Sequence, residues 1–243
     1  MTTFAPLLDR HLRRSSGRPL VTFYDHATGE RTELSVATYA NWVAKTAGLL
    51  VEECDLSRGD RLLVALPTHW LAPVFLGAAW TLGVQVVWDG DAEAVVCGPE
   101  GLAVWGRRAA EVPVVATALL PLGVRFGDPL PDGLHDFGVE VWSQPDSFVP
   151  WDPAASDDLA VPGTTQAALW RAATTGSLVA DGGRLLTTAA PASPTGLAGF
   201  TEPFARGGSV VLVAHPDPDR LTATCAVERA DARFLPGGQP TRS

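Results

Sequence analysis

The chain has 243 residues, of which 46% are hydrophobic, and a formal net charge of −9. This length is enough to bury a substantial core in one domain or two subdomains. The acidic balance argues against nucleic acid and anionic membranes as partners. The three cysteines (Cys54, Cys97 and Cys225) are far apart and show no metal-ligand spacing, so we expect reduced, buried thiols and no metal site.

The first third of the chain predicts a helix, a hairpin and a second helix. Phe4–Arg14 has a leucine-bearing face typical of a short helix. Leu20–Asp25 and Arg31–Leu34 predict two strands around a His-Ala-Thr-Gly turn. Ser35 is a good N-cap for an amphipathic helix that runs to about Cys54. The N-terminus carries charges throughout and has no apolar signal core, which favours a cytoplasmic location.

Lys45 is the single lysine of the chain. It falls off the apolar stripe of the second helix, so we expect its ammonium group to face solvent. Any mechanism that needs a lysine ammonium at another position has no residue to supply it.

The stretch Leu56–Trp88 is the most informative part of the sequence. An Arg-Gly-Asp turn leads to an apolar strand, Leu62–Leu66, which Pro67 ends. Thr68 is the expected N-cap of the next helix, and Gly83 is its expected end. A β-branched strand follows, so this stretch predicts a βαβ unit in a parallel sheet.

A membrane span is the competing interpretation of the same stretch. Residues 62–88 contain no Asp, Glu, Lys or Arg and are long enough to cross a bilayer. Two prolines and two glycines interrupt them where a strand–helix–strand unit needs breaks. The interruptions favour the βαβ unit.

The rest of the chain continues the alternation of strands and helices, which predicts an α/β fold with mostly parallel sheets and flanking helices. We expect a first subdomain over residues 1–150, a second over 151–235 and a flexible tail over 236–243. The expected strands are Ala94–Cys97, Val112–Thr117, Val139–Trp142, Arg184–Ala189, Ser209–Val213 and Arg233–Leu235, and the expected helices are Gln166–Ala173, Leu197–Ala205 and Leu221–Ala230.

The order of hairpin, helix, turn, strand, helix and strand resembles the N-terminal region of the adenylate-forming superfamily, which includes acyl-CoA synthetases, luciferases and nonribosomal peptide adenylation domains. The chain looks like a truncated, degenerate relative and is similar to short actinobacterial proteins of this kind. The matching residues are Leu34-Ser35, Gly59-Asp60-Arg61, Leu66-Pro67, Phe75–Ala78, Gly83, Gly183–Thr188, Gly196-Leu197 and Gly207–Leu212.

The resemblance implies a phosphate-binding loop rich in Ser, Thr and Gly that ends in Gly-x-Pro-Lys-Gly. Backbone amides, hydroxyls and one ammonium group neutralise the polyphosphate in such a loop. The nearest match is Gly163, Thr164 and Thr165, followed by Gln166 where the family has glycine, and the Pro-Lys-Gly is missing. A second candidate, Thr174–Ser177, also lacks a lysine. The family's Thr-Glu magnesium ligand has no counterpart either; Thr201-Glu202 is better interpreted as a charge at a helix N-terminus.

These departures favour a non-catalytic relative that binds a ligand or a protein. The alternatives are half of a split or altered adenylating enzyme, and a product without a retained role. We expect no catalytic residue, no metal and no cofactor, with ATP or AMP as the ligands that remain open. The apolar face that a longer relative would cover favours self-association or another protein as partner, and the eight tryptophans offer aromatic surface for it.

Overall fold

The computed structural model describes residues 2–235 and 241–242. The helices there are α1 Phe4–Ser15, α2 Val36–Glu52, α3 Leu71–Leu82, α4 Leu102–Trp105, α5 Phe137–Glu140, α6 Gln166–Thr175, α7 Leu197–Ala205 and α8 Pro218–Val227. The strands are β1 Pro19–Asp25, β2 Arg31–Ser35, β3 Arg61–Ala65, β4 Gln85–Val87, β5 Ala94–Cys97, β6 Val114–Ala116, β7 Leu134–Asp136, β8 Leu159–Val161, β9 Thr164–Thr165, β10 Arg184–Thr187, β11 Ser209–Ala214, β12 Ala232–Phe234 and β13 Thr241–Arg242.

Two sheets carry the fold. One has the strand order β13-β12-β10-β11-β1-β2, and the other has the order β4-β3-β5-β6-β7. The second is parallel throughout, and the first is parallel except at its two edge pairs. The predicted α/β class with mostly parallel sheets is confirmed. β1 pairs with β11, so strands from both sides of the predicted boundary at residue 150 share one sheet.

The main core lies between the two sheets. It takes side chains from α1, α2, α3, α6 and α7 together with one face of each sheet. The sequence of β3 does not alternate between apolar and polar residues. Leu62 and Val64 face this core, while Leu63 packs into a second cluster on the outer face. Both faces of a central parallel strand are buried, so both must be apolar.

An aromatic cluster joins the helices of the core. Phe4 of α1 stacks on Phe204 of α7 at 5.1 Å, and Trp80 of α3 meets Trp170 of α6 edge-on at 5.3 Å between ring centroids. α2 and α3 approach closely at Gly77, where an added Cβ would lie 2.6 Å from the Tyr39 hydroxyl. Glycine is therefore required at this contact.

The tryptophans serve the core more than the surface. Trp70, Trp80 and Trp170 are each 2% exposed or less, whereas Trp142 and Trp151 are exposed. The three buried tryptophans therefore cannot contribute to an association surface. Association through an apolar face stays a prediction.

Gln166 is a polar residue at the centre of this apolar region. Its side chain is fully buried, its Oε1 accepts from the Phe4 amide at 3.0 Å, and its Nε2 donates to the Trp80 carbonyl at 2.8 Å. The two groups lie at the start of α1 and near the end of α3, where helices leave backbone groups without partners. One amide side chain thus links three helices.

Several local predictions are confirmed and others are wrong. Ser35 caps α2 by accepting from the Thr38 amide, and Gly83 ends α3 with φ of 74°. Residues 139–142 were expected to form a strand, but they belong to α5 and to the 3₁₀ turn that follows it. β7 was not predicted. Residues 241–242 of the predicted tail pair with β12, and the rest of that tail lies outside the described residues.

Lys45 does not face solvent. Its side chain is 16% exposed, and its Nζ lies 3.0 Å from Asp146 Oδ1 and also donates to the Gln144 carbonyl. The connection after β7 folds back onto α2 and supplies both acceptors. A contact about 100 residues away along the chain therefore decides the environment of this lysine.

Thr68 is not the cap of α3. Its hydroxyl donates to the Thr188 carbonyl at 3.1 Å, while the Leu71 amide at the start of α3 donates to Nδ1 of His69 at 3.2 Å. His69 is 3% exposed, and burial lowers its pKa to about 3. The neutral ring is the form that can accept from Leu71, so folding and ring protonation oppose each other.

Every helix in the described part of the chain is too short or too polar to cross a bilayer. The apolar stretch after residue 62 instead fills the core as β3, α3 and β4.

Replacement of Gln166 by methionine tests the amide link. It keeps the side-chain volume but leaves the Phe4 amide without this partner and the Trp80 carbonyl with the Gly83 amide at 3.4 Å, so we expect a loss of about 1–3 kcal/mol in the free energy of unfolding. Urea titration followed by tryptophan fluorescence measures it. Gln85→Met on half-buried β4 is the matched control, with an expected change within about 0.5 kcal/mol. Equal losses in the two variants would contradict the role of Gln166.

Burial of neutral His69 predicts a pH-dependent stability. Its pKa is about 3 in the folded chain and 6.5 for an unperturbed histidine, so the unfolded state binds more protons between these values and stability falls as the pH is lowered through this window. From about pH 7.5 to about pH 5 the loss due to this ring is about 2 kcal/mol.

The variant His69→Asn does not titrate, and its side-chain oxygen can still accept from the Leu71 amide. Urea unfolding at the two pH values is expected to show a smaller loss for this variant than for the wild type. Gln85→Met, which changes no ionisable group, is the control and is expected to keep the wild-type pH dependence. Parallel profiles for wild type and His69→Asn would refute the assignment.

Candidate functional site

A cleft of about 620 Å³ lies where the two sheets meet. It is formed by the residues that end or follow six parallel strands: β1, β10 and β11 from one sheet and β3, β5 and β6 from the other. Ligands in open α/β sheets bind outside the carboxyl ends of the strands, so this cleft is the candidate site. Its lining includes Phe23, Asp25, Glu30, Pro67, His69, Gly98, Glu100, Leu119, Val213 and His215.

Carboxylates dominate the charge of the cleft. Asp25 at the end of β1 accepts from the Ala27 amide at 2.8 Å and lies 3.0 Å from His215 Nδ1. Burial opposes ionisation of Asp25, but these hydrogen bonds outweigh it and lower its pKa. Burial raises the pKa of Glu30, and Glu100 lies exposed at the mouth. None of the lining residues is Lys or Arg.

His69, a lining residue of this cleft, carries a buried donor without a partner in the described part of the chain. Since Nδ1 accepts from the Leu71 amide, the neutral ring carries its proton on Nε2. Nε2 is buried and has no hydrogen-bond partner among the described residues. The ring packs edge-on against Phe23 at 4.7 Å. A buried donor without an acceptor costs free energy, which an acceptor atom of a ligand would recover.

The three residues predicted as a degenerate phosphate loop lie outside the cleft. Gly163 occupies an exposed two-residue turn between β8 and β9 with φ of 70°, and Thr164 follows on β9. The Thr165 hydroxyl caps α6 by accepting from the Ala168 amide at 3.2 Å. The segment is a hairpin turn followed at once by a helix start.

The amides after this turn are already bonded within the chain. The Gln166 amide donates to the Asp158 carbonyl at 2.8 Å, and the Ala167 amide donates to the Ser156 carbonyl at 2.9 Å. With the Ala168 amide bonded to Thr165, these three N–H groups face intramolecular acceptors. A phosphate site needs N–H groups directed at the ligand.

The second loop candidate also presents acceptors. The carbonyls of Thr174 and Gly176 both accept from Nη1 of Arg206 at 2.9 Å. Glu202, expected as a charge at a helix N-terminus, instead lies buried in the second half of α7, where its carboxylate accepts from the Val179 amide at 3.1 Å. It holds the loop after α6 against α7. Its sequence position could not show this, because its partner lies in another element.

One group with metal-ligating side chains occurs in the described residues. Ligand atoms of Glu53, His135 and Glu140 lie within 4.8 Å of one another. Nδ1 of His135 is 3.1 Å from Glu140 and 3.9 Å from Glu53, so the imidazole already pairs with the carboxylates. Burial raises the pKa of Glu140, and the pairing with His135 opposes that rise.

The cysteines are free and buried, as expected. Burial raises the pKa of Cys97, which ends β5 behind the cleft, to about 11, and that of Cys54 to about 12. Thiols with such pKa values are protonated at neutral pH and are poor nucleophiles.

Comparison with solved structures identifies the scaffold. The structure of an acyl-CoA synthetase from Brucella canis matches with a TM-score of 0.78 at 18% identity, over 96% of this chain and 47% of that one. A benzoate CoA ligase from Burkholderia xenovorans LB400 matches with a TM-score of 0.73 at 18% identity, covering 96% and 50%. The anthranilate CoA ligase AuaEII, in complex with anthranoyl-AMP, gives 0.73 at 12% identity, covering 96% and 49%. The chain spans about half the length of these ligases, and the match confirms the predicted resemblance.

Comparison at the sequence level gives a nearer relative. No family model matches the chain. A protein of Mycobacterium tuberculosis (strain ATCC 25618 / H37Rv), described as "TIGR03089 family protein", is 35% identical over 239 residues, which cover 94% of this chain and 96% of that protein. The chain belongs to the TIGR03089 family, and its fold is that of the N-terminal portion of adenylate-forming ligases.

Proposed function

We propose that this chain is a non-catalytic relative of the adenylate-forming ligases that binds a small, neutral or cationic, partly apolar molecule in the cleft between its sheets. The observation that carries the proposal is the charge of the cleft, which has three carboxylates and no Lys or Arg among its lining residues. A polyphosphate placed there would meet like charges with no compensating cation.

The region after β8 adds a second reason. The adenylation reaction expels pyrophosphate, and its developing charge must be stabilised by donors that are already directed at it. Here the amides of Gln166, Ala167 and Ala168 are bonded inside the chain. To release them, α6 would have to lose its N-terminal turn together with the buried amide link of Gln166.

The cleft walls indicate what kind of ligand fits. Phe23, Pro67, Leu119 and Val213 provide apolar surface, and Nε2 of His69 provides one buried donor. A ligand with an apolar body and a neutral acceptor would pack against these apolar side chains and accept a hydrogen bond from Nε2 of His69. Glu100 at the mouth favours a positive group at the ligand's outer end.

The three buried free thiols suit a reducing compartment, and we include a cytoplasmic location in the proposal.

ATP–pyrophosphate exchange tests the non-catalytic assignment. With purified protein and a panel of carboxylic acids that includes benzoate and anthranilate, we expect exchange at the level of the protein-free blank. Robust exchange with any acid would refute this proposal and favour the alternative, an altered adenylating enzyme.

A matched ligand series tests the charge of the cleft. Benzylamine, benzamide and benzoate share one ring and differ in charge, and we expect stabilisation against heat to fall in that order. Glu100→Gln is expected to weaken benzylamine binding about threefold and benzamide binding by less, since one exposed charge contributes little. Glu111→Gln, at an exposed residue outside the cleft lining, is the control. A preference for benzoate would contradict the proposed ligand class.

A further inference from the structure

Four arginines of this acidic chain lie close together on its surface. Arg10, Arg14 and Arg18 lie on α1 and the turn after it, and Arg206 follows α7. They line two adjoining cavities of about 320 and 190 Å³, which share His11, Arg14 and Gly207. We call the four arginines with the two cavities the arginine groove.

Backbone carbonyls hold two of these guanidinium groups in place. Nη2 of Arg18 donates to the carbonyls of Gly207 at 2.5 Å and Gly208 at 3.2 Å. Nη1 of Arg206 donates to two carbonyls of the loop after α6, and its Nε is buried without a partner among the described residues. Fixed guanidinium groups lose little entropy when they bind a ligand.

Gly207 allows the third arginine to approach. Its φ is 74°, and a Cβ at this residue would lie 2.9 Å from Nη1 of Arg14. The guanidinium of Arg14 therefore lies directly over the backbone between the two cavities. A larger residue at position 207 would displace it and adopt a strained backbone conformation.

The positive charge of the groove is largely uncompensated. Asp181 is the one carboxylate that lines the larger cavity; it pairs with Arg206 at 2.9 Å and is 85% exposed, against four arginines in the groove. Asp9 lies 3.9 Å from Arg13, on a part of α1 that does not line the cavities. The positive charge also affects the nearby imidazole of His11. Burial lowers the pKa of His11, and the charges of Arg18, Arg14 and Arg10 lower it further, while the hydrogen bond to the Phe204 carbonyl opposes this.

We propose that the arginine groove is a binding site for the phosphate groups of a small phosphorylated molecule, with a diphosphate as the best fit. Guanidinium groups bond phosphate oxygens in pairs, and two adjoining cavities that share Arg14 can each receive one phosphate. Leu7 and Phe204 line the larger cavity and offer apolar contact to the body of the ligand. The groove does not share a lining residue with the acidic cleft, so this inference stands apart from the proposed function.

Isothermal titration with inorganic pyrophosphate tests the site on the full chain. With ionic strength held constant by sodium chloride, we expect saturable binding at one site per chain and weaker binding of orthophosphate. Arg14→Gln is expected to weaken pyrophosphate binding about tenfold, the effect of one lost charge-assisted contact. Because Arg14 is exposed, the variant is expected to fold like the wild type, which its thermal unfolding will show.

Arg13→Gln is the matched control. It removes the same charge from the neighbouring residue of the same helix, but Arg13 lines neither cavity. Its binding is expected to stay within about twofold of the wild type. Absence of saturable heat up to ~10 mM pyrophosphate would overturn the site. Equal weakening by Arg13→Gln and Arg14→Gln would also overturn it, because general charge attraction would then explain the binding.

Discussion

The packing of α1, α3 and α6 depends on the buried side-chain amide of Gln166. It satisfies an amide at the start of α1 and a carbonyl near the end of α3, in the middle of a cluster of aromatic rings. Both residues are buried, so loss of the side chain would leave the Phe4 amide unsatisfied and the Trp80 carbonyl with only the longer bond from the Gly83 amide at 3.4 Å. The link also fixes where α6 begins. A segment whose composition resembles an anion-binding loop is therefore used as the capped, anchored start of a core helix.

The surface has one acidic region and one basic region, which the net charge of −9 does not reveal. The carboxyl ends of six parallel strands form a cleft lined by carboxylates, while the arginine groove lies beside α1 and the turn after α7. Both depend on the same core, since α1 buries Phe4 and Leu7, and Leu7 lines the larger cavity of the groove together with Arg10 and Arg14. The packing that closes the core thus also sets the position of the basic side chains.

The sequence predicts those elements whose causes are local. Ser35 and Gly83 act on their own helix ends, and the strand Ala94–Cys97 and the helix Leu197–Ala205 have the predicted bounds. Thr68 shows the limit, because a distant carbonyl takes its hydroxyl and the neighbouring imidazole bonds to the helix start instead. Lys45 and Glu202 were misjudged for the same reason: their partners come from other elements.

The candidate site was beyond sequence reasoning because no single segment forms it. Its lining comes from strand ends and loops between residues 23 and 216, brought together only when β1 pairs with β11 and the second sheet packs against the first. The sequence did show that no lysine lies near Gly163. The geometry adds that the backbone there is also unsuited to binding phosphate. A lysine added to the β8–β9 turn would still lack the amide donors of a phosphate site, since residues 166–168 bond within the chain. A phosphate site at this position would require a rebuilt backbone between β8 and α6, at the cost of the contacts that hold α1, α3 and α6 together.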